Sequence, residues 1–371
     1  MKENKTVGPN LKTYYYYTNE MADNDSAKAS IVIATGNEGT GALYDEIGEY
    51  LDKQGFALYA IDEWGYGKTG SVVKENKKNW KRKGFHYAAY NVHALSAMAK
   101  KQHPNAPVYL IGNDFGAMLS IYLLKEFPEI VDKVVTIGWG APRGQDFGFV
   151  FTSWLKKLFL YDNGESKWGH ASINKRFAFR FERGEKYAWL SSDLDQVKKI
   201  RDAGYIDIPG TIGHNYQYFS KKIKVPMLMK MRKMDRNMPI LMLSGNEDLF
   251  TKKGLTTRAL AKYFELRRFN DVTATIVDGR HQLLFEKNRF ETMDRILTWL
   301  TGEEIKTSAA DTNIQIVAKK ETVEPAVVVE TVEAEVVENV VSEVEVVSSA
   351  KEISFMEADE DLLIKTNKES E

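Results

Sequence analysis

The chain has 371 residues, 43% hydrophobic and 12% aromatic, enough to bury a large core in one large domain or two small ones. Cysteine is absent, which excludes a disulfide framework and a thiolate metal site, and the histidines at 86, 93, 103, 170, 214 and 281 show no metal-ligand spacing. The net charge of −1 conceals an asymmetry: residues 303–371 hold 18 acidic and 6 basic residues, leaving 45 basic and 34 acidic in residues 1–302.

The first twenty residues, "MKENKTVGPNLKTYYYYTNE", contain no apolar leader, and no run of about 18 apolar residues follows anywhere. A cytoplasmic location is the expectation. Short apolar runs at 13–17, 30–35, 56–62, 108–112, 133–137, 240–244 and 272–277 read as buried strands bounded by Gly, Asn or Asp. Helical patterns lie between most of them, as at 43–53 and 115–127. Strands alternating with helices predict a mostly parallel, doubly wound α/β sheet covered on both faces.

The loop after the second run, "ATGNEGTGALY", lacks the Lys-Ser/Thr of a phosphate loop and the spacing of a dinucleotide site, so no nucleotide cofactor is expected. Residues 74–87, "KENKKNWKRKGFHY", are basic with aromatics interleaved. They read as a solvated loop, or more sharply as a peripheral contact with an anionic membrane surface. The stretch is short and no binding module accompanies it, so nucleic acid is not an expected partner.

"YLIGNDFGAML", residues 109–119, reads as strand, glycine-framed tight turn and apolar helix. Gly-x-nucleophile-x-Gly at such a turn is the nucleophile elbow of α/β-hydrolases, in which the central residue is serine; here it is Asp114. A site of this kind needs an acid and then a histidine further along the chain. Asp248 follows the strand in "PILMLSGNEDLFT", and His281 follows the strand in "VTATIVDGRHQLLFE". Asp114, Asp248 and His281 are therefore the candidate catalytic residues. The backbone N–H groups of Phe115 and Asn37 are the candidate oxyanion hole.

The alternation of strands and helices pauses from about 144 to 225, where "FVFTSWLKKLFLY" and "KYAWLSSDLDQVKKIRDAGYI" read as amphipathic helices. A helical cap over the sheet is the expectation, with additional core helices as the alternative. The body, residues 1–302, ends with "ETMDRILTWLTG". Beyond it, 303–371 is an acidic Val/Glu-rich tract expected to be disordered.

The sequence resembles the lysophospholipase and monoacylglycerol-lipase branch of the α/β-hydrolases, the serine aminopeptidase S33-like group, over roughly residues 29–301. "KQGFALYAID" and "DEWGYGKT" match a family strand and its D-x-R-G-x-G-x-S motif, "NKRF" and "WLSSD" its cap pattern, and "DGRHQLL" its final G-x-x-H. The departures lie where catalysis lives. The family's H-G-x-x-E-H loop is Thr35, Gly36, Asn37, Glu38, Gly39 and Thr40, the motif arginine is Trp64, and the serine is Asp114. The resemblance implies a hydrolase of lipid-like esters with an altered nucleophile. Two alternatives stay open: a non-catalytic relative binding an acyl ligand or a protein, and an aspartate-nucleophile hydrolase of the epoxide hydrolase or haloalkane dehalogenase type.

Overall fold

A computed structural model describes residues 1–8, 11–36, 38–72, 83–160, 164, 177, 180–181, 185–204, 206, 210–227 and 233–304. All of them belong to a unit spanning Met1–Val323; a second unit, Glu324–Glu371, lies outside the described residues, as does almost all of the acidic tract.

Eight strands form one sheet: β1 (Lys2–Val7), β2 (Thr13–Thr18), β3 (Ser30–Ala34), β4 (Ala57–Ile61), β5 (Val108–Asn113), β6 (Lys133–Ile137), β7 (Ile240–Gly245) and β8 (Val272–Val277). Their order is β1-β2-β4-β3-β5-β6-β7-β8. The β1–β2 and β2–β4 pairs are antiparallel and every other pair is parallel. The seven expected strands are all present. The eighth, β1, has the sequence KENKTV, exposed or half-buried throughout. It pairs only with β2, at the edge of the sheet, where a strand needs no apolar face.

Strands β3, β4, β5 and β7 are buried at every residue because helices cover both faces. On one face Ile31, Ile33, Leu58, Ile111, Ile137 and Leu243 share a core with Ile47 and Leu51 of α1 (Asp45–Gln54). The opposite face carries α3 (Gly84–Gln102), after the short α2 (Gly67–Val72), and α4 (Phe115–Glu126). Helix α4 is buried over its first ten residues, so it reads as continuously apolar and not amphipathic.

Within residues 144–225 the described helices are α5 (Gly144–Leu160), α6 (Leu194–Asp202) and α7 (Ile212–Lys224). Val197 and Ile200 of α6 join the same core as Ile31 and Ile47. Helices α5 and α7 pack on each other through stacked Phe149 and Phe219, 4.6 Å between ring centroids, and through a buried Asp146–Lys222 ion pair at 2.9 Å. The chain continues through α8 (Leu255–Leu266) to α9 (Arg289–Thr301). Gly302, at φ +75°, caps α9 by donating its N–H to the Thr298 carbonyl.

Candidate active site

Asp114 sits where β5 turns into α4, with φ +49° and ψ −108°. A residue with a side chain adopts this left-handed backbone at a cost of about 1–3 kcal/mol, and the surroundings hold it there. The Asp114 N–H donates to the Ile137 carbonyl at 2.8 Å, and its carbonyl accepts from Ala117 N–H at 3.1 Å. Gly116 lets α4 start tightly against the end of β3: a Cβ there would come within 1.9 Å of the Ala34 carbonyl oxygen. The turn aims the Asp114 carboxylate away from the helix into a buried space where it is 2% exposed.

Asp248 lies three residues past β7 and is fully buried. Its Oδ1 accepts the Phe250 N–H at 2.7 Å and its Oδ2 the Thr251 hydroxyl at 2.9 Å, which orients the carboxylate. His281 lies four residues past β8, with Nδ1 3.1 Å from Asp248 Oδ2 and Nε2 3.6 Å from Asp114 Oδ1. Its ring rests between Trp189 and Phe250, with centroids 5.4 and 5.0 Å away. Residues 114, 248 and 281, far apart in the chain, thus form one continuous array at the carboxyl ends of parallel strands.

Burial by itself pushes the His281 pKa down. The charges of Asp248 and Asp114 and their hydrogen bonds to the ring outweigh it and hold the pKa up at about 10. The ring therefore stays protonated at neutral pH, with Asp248 at Nδ1 and Asp114 at Nε2.

Three residues of the surrounding shell, Glu38, Gln282 and Tyr66, had no role from sequence, and Tyr218 was only one of several cap tyrosines that the epoxide-hydrolase alternative could use. Glu38 is 1% exposed. Its Oε1 accepts from Gly36 N–H at 2.8 Å, Tyr44 O–H at 2.5 Å and Asn113 Nδ2 at 3.2 Å; its Oε2 accepts from Gln282 Nε2 at 3.2 Å. Asn113 Nδ2 also donates to Gln282 Oε1. One carboxyl therefore ties the loop after β3 to the residue before Asp114 and the residue after His281. Burial raises the Glu38 pKa above the ordinary carboxylate range, against the hydrogen bonds that lower it. The available signal was adjacency: Asn113 and Gln282 are polar residues next to candidate catalytic positions in apolar segments.

Gly36 packs this loop against the elbow, since a Cβ there would lie 2.7 Å from both the Asn113 carbonyl oxygen and Asp114 Cβ. Of the two candidate oxyanion donors, Phe115 is the first residue of α4, and Asn37 lies outside the described residues. Tyr218 of α7 donates its hydroxyl to Asp114 Oδ1 at 3.5 Å. Burial, then the neighbouring carboxylates, hold the phenols of Tyr218 and Tyr66 well above their ordinary pKa, so both stay protonated.

The motif "DEWGYGKT" is a structural staple. Asp62 accepts from Thr40 Oγ1 at 2.7 Å, Gly41 N–H at 3.1 Å and Lys68 N–H at 2.8 Å. Trp64, in place of the motif arginine, is 1% exposed and lies 4.9 Å from Tyr87 between centroids. Among the described residues, no group of three or more His, Asp or Glu is disposed to hold a metal ion, and no helix is long and apolar enough to cross a membrane.

The comparisons with known proteins agree with this architecture. A family described as serine aminopeptidase, S33, matches residues 25–288. Among solved structures, a thermostable carboxyl esterase from Bacillus coagulans in complex with glycerol is similar at 17% identity and TM-score 0.69, covering 82% of this chain and 99% of that one. A monoacylglycerol lipase from Paleococcus ferrophilus is similar at 16% identity and TM-score 0.58, covering 78% and 98%. A soluble variant of monoglyceride lipase from Saccharomyces cerevisiae, in complex with a substrate analog, is similar at 12% identity and TM-score 0.57, covering 82% and 96%. At these identities the likeness is one of fold: the α/β-hydrolase fold shared by esterases and monoacylglycerol lipases. The chain belongs to the serine aminopeptidase S33 family, and so to the hydrolases.

Proposed function

We propose that this chain is a covalent hydrolase of apolar, lipid-like small molecules in which Asp114, standing where the family has serine, attacks saturated carbon. The observation that carries this reading is a carboxylate at the tip of the elbow with a histidine Nε2 3.6 Å away and a tyrosine hydroxyl 3.5 Å away. A carboxylate attacking an acyl ester would have to form an anhydride, a poor intermediate. The same carboxylate attacking a strained cyclic ether forms an ordinary ester.

In the first step an Asp114 oxygen bonds to the substrate carbon and the carbon–oxygen bond of the ring breaks. Tyr218 stabilises the departing oxygen by hydrogen bonding. That oxygen takes the proton held on His281, directly or through Tyr218, which recovers its own from the imidazolium. Alkylation removes the Asp114 charge that held this proton on, so the imidazole is left neutral as a base. In the second step His281, oriented by Asp248, takes a proton from water, and the hydroxide adds to the Asp114 ester carbonyl. The Phe115 and Asn37 N–H groups are the oxyanion donors in this reading. The ester C–O bond breaks, the released alkoxide takes the acid proton, and the carboxylate–imidazolium pair is restored. The sum is cyclic ether plus water giving a diol.

The second reading, cleavage of lipid-like acyl esters, is favoured by membership in the family. It requires His281 to act as a base on water, so the imidazolium must first lose its proton. Ester turnover by this route rises with pH towards about 10.

Single turnover in heavy-oxygen water tests the proposal, using long-chain epoxides, haloalkanes, and short- and long-chain p-nitrophenyl esters. The expected results are heavy oxygen in the Asp114 peptide with epoxides and, with a haloalkane, whose departing halide needs no proton, accumulation of an alkylated Asp114 in His281→Gln. Epoxide turnover that survives Asp114→Ala would overturn the nucleophile role, and ester turnover that survives it would favour the second reading. Inertness towards the whole panel, with an acyl ligand still bound, would assign the chain to the non-catalytic class.

A further inference from the structure

Of the stretches singled out in the sequence, the basic one at 74–87, read as a membrane contact, lies outside the described residues up to position 82. "WLSSD" at 189–193 and "DGRHQLL" at 278–284 are both described, and the fold bonds one to the other. Arg280 and Gln282 stand either side of His281. Arg280 Nη1 donates to the Ala188 carbonyl at 2.7 Å and the Ser191 carbonyl at 3.0 Å, and Gln282 N–H donates to the Leu190 carbonyl at 2.7 Å. The neighbours of the imidazole thus hold the neighbours of Trp189. Glu286 completes the join by accepting from Arg280 N–H at 2.6 Å and from Ser192 N–H at 3.0 Å. The Arg280 guanidinium lies 4.3 Å from the centre of the Phe181 ring, and Phe177 packs edge-on against Trp189 at 5.4 Å between centroids.

The join bears on the base itself. Asp248 and Asp114 meet the His281 ring at its two nitrogens, 3.1 and 3.6 Å away, and leave its faces to other groups. Those groups are Trp189 and Phe250, at 5.4 and 5.0 Å. In the second step of the proposed reaction Asp114 is an ester, so Asp248 alone still grips the ring, through one nitrogen. An imidazole held at one point rocks about it, and a misplacement of about 1 Å can cost on the order of 10²-fold in rate. A base of this kind keeps its aim through packing and hydrogen bonds in the layer behind it. We infer that Trp189 is a positioning residue for His281, fixed against the imidazole by Arg280 and Gln282. The inference rests on the proposed use of His281 as the base.

Imidazole N–H resonances of the full chain, labelled with heavy-nitrogen histidine and read without substrate, test it separately from turnover. The expected result is a His281 Nδ1–H signal, identified by its loss in His281→Gln, that exchanges slowly with water. Trp189→Leu should speed this exchange about 10-fold or more, and Trp189→Phe, which keeps a flat ring in place, should restore most of the protection. Leu95→Ala, buried in α3 on the opposite face of the sheet, should lower the melting temperature and leave the signal unchanged. On any substrate of the panel that the wild type turns over, kcat should fall about 10-fold in Trp189→Leu and largely recover in Trp189→Phe. Inertness of the wild type towards the whole panel would sink the proposed function and leave the resonance to decide the inference. Should Trp189→Leu misfold, Arg280→Lys takes its place: it keeps the charge, loses the planar reach to two carbonyls, and should speed exchange in the same direction. A wild-type His281 proton that exchanges freely with water would overturn the inference. So would unchanged exchange in Trp189→Leu, or in Arg280→Lys where that replaces it, or equal acceleration in Leu95→Ala.

Discussion

His281, buried between Asp114 and Asp248, holds a proton that makes the array sensitive to pH. The imidazole pKa is about 10 in the folded chain against 6.5 for an ordinary histidine. A raised pKa contributes stability that is complete below about 6.5 and is lost as pH rises through about 10. Denaturant titrations across this window should therefore show falling stability, with a shallower fall in His281→Gln; equal slopes in the two proteins would refute the assignment. Glu38 calls for a different comparison. Glu38→Ala leaves Tyr44, Asn113, Gln282 and the Gly36 N–H without their shared acceptor, at a cost of roughly 3 kcal/mol. Glu38→Gln keeps the shape and one acceptor oxygen and should cost less, and thermal melts of the two rank them. The catalytic candidates were legible because each follows directly on an apolar strand. Glu38 was not, because it sits in a glycine-rich turn and its value comes from Asn113 and Gln282, 75 and 244 residues away.

At the scale of elements, two devices join helices that no local pattern pairs. Glu46 of α1 accepts from Gln196 and Lys199 of α6 and from Arg289 of α9 through Nε at 2.9 Å and Nη2 at 2.6 Å. Desolvation opposes ionisation of Glu46, but the hydrogen bonds from Lys199, Gln196 and Arg289 prevail and lower its pKa to about 2. This stability is present above about 4.5 and lost as pH falls through about 2. Solvent reaches the cluster, so Glu46→Ala should cost only about 1 kcal/mol, a drop of about 2–4 °C in a melt. The Asp146–Lys222 pair is far drier, at 1 and 3% side-chain exposure. Lys222→Met strands the Asp146 carboxylate and should cost about 3–5 kcal/mol, much of it recovered by adding Asp146→Leu, a contrast that a double-mutant cycle measures. Because Lys222 Nζ also lies 4.8 Å from the centre of the Phe250 ring, which packs on His281, the single variant should disturb the site as well.

For the whole molecule, every described element ends by Thr301, and Gly302 closes the last helix. The family match ends earlier still, at residue 288. Residues 303–371 are set apart from this body by composition and charge alone. We therefore expect truncation after Gly302 to leave the melting temperature within a degree or two, as scanning calorimetry would show. A large loss of cooperativity would mean that the Val-rich tract packs as part of the fold.

By itself the sequence determined seven strands, the alternation with helices and the family, and it singled out the three residues that the fold brings together, because hydrophobic periodicity and turn chemistry are local properties. It did not reveal β1, whose polar residues are tolerated only because the neighbour at the sheet edge supplies its hydrogen bonds. Nor could it show that the side of α5 holding Asp146, Phe149 and Ser153 faces inward while its more apolar side is exposed, since only the partners on α7 decide this. The protonation state of His281 was likewise beyond it. Only the folded chain brings two carboxylates onto one buried ring, and there their charge outweighs the desolvation that would otherwise strip its proton.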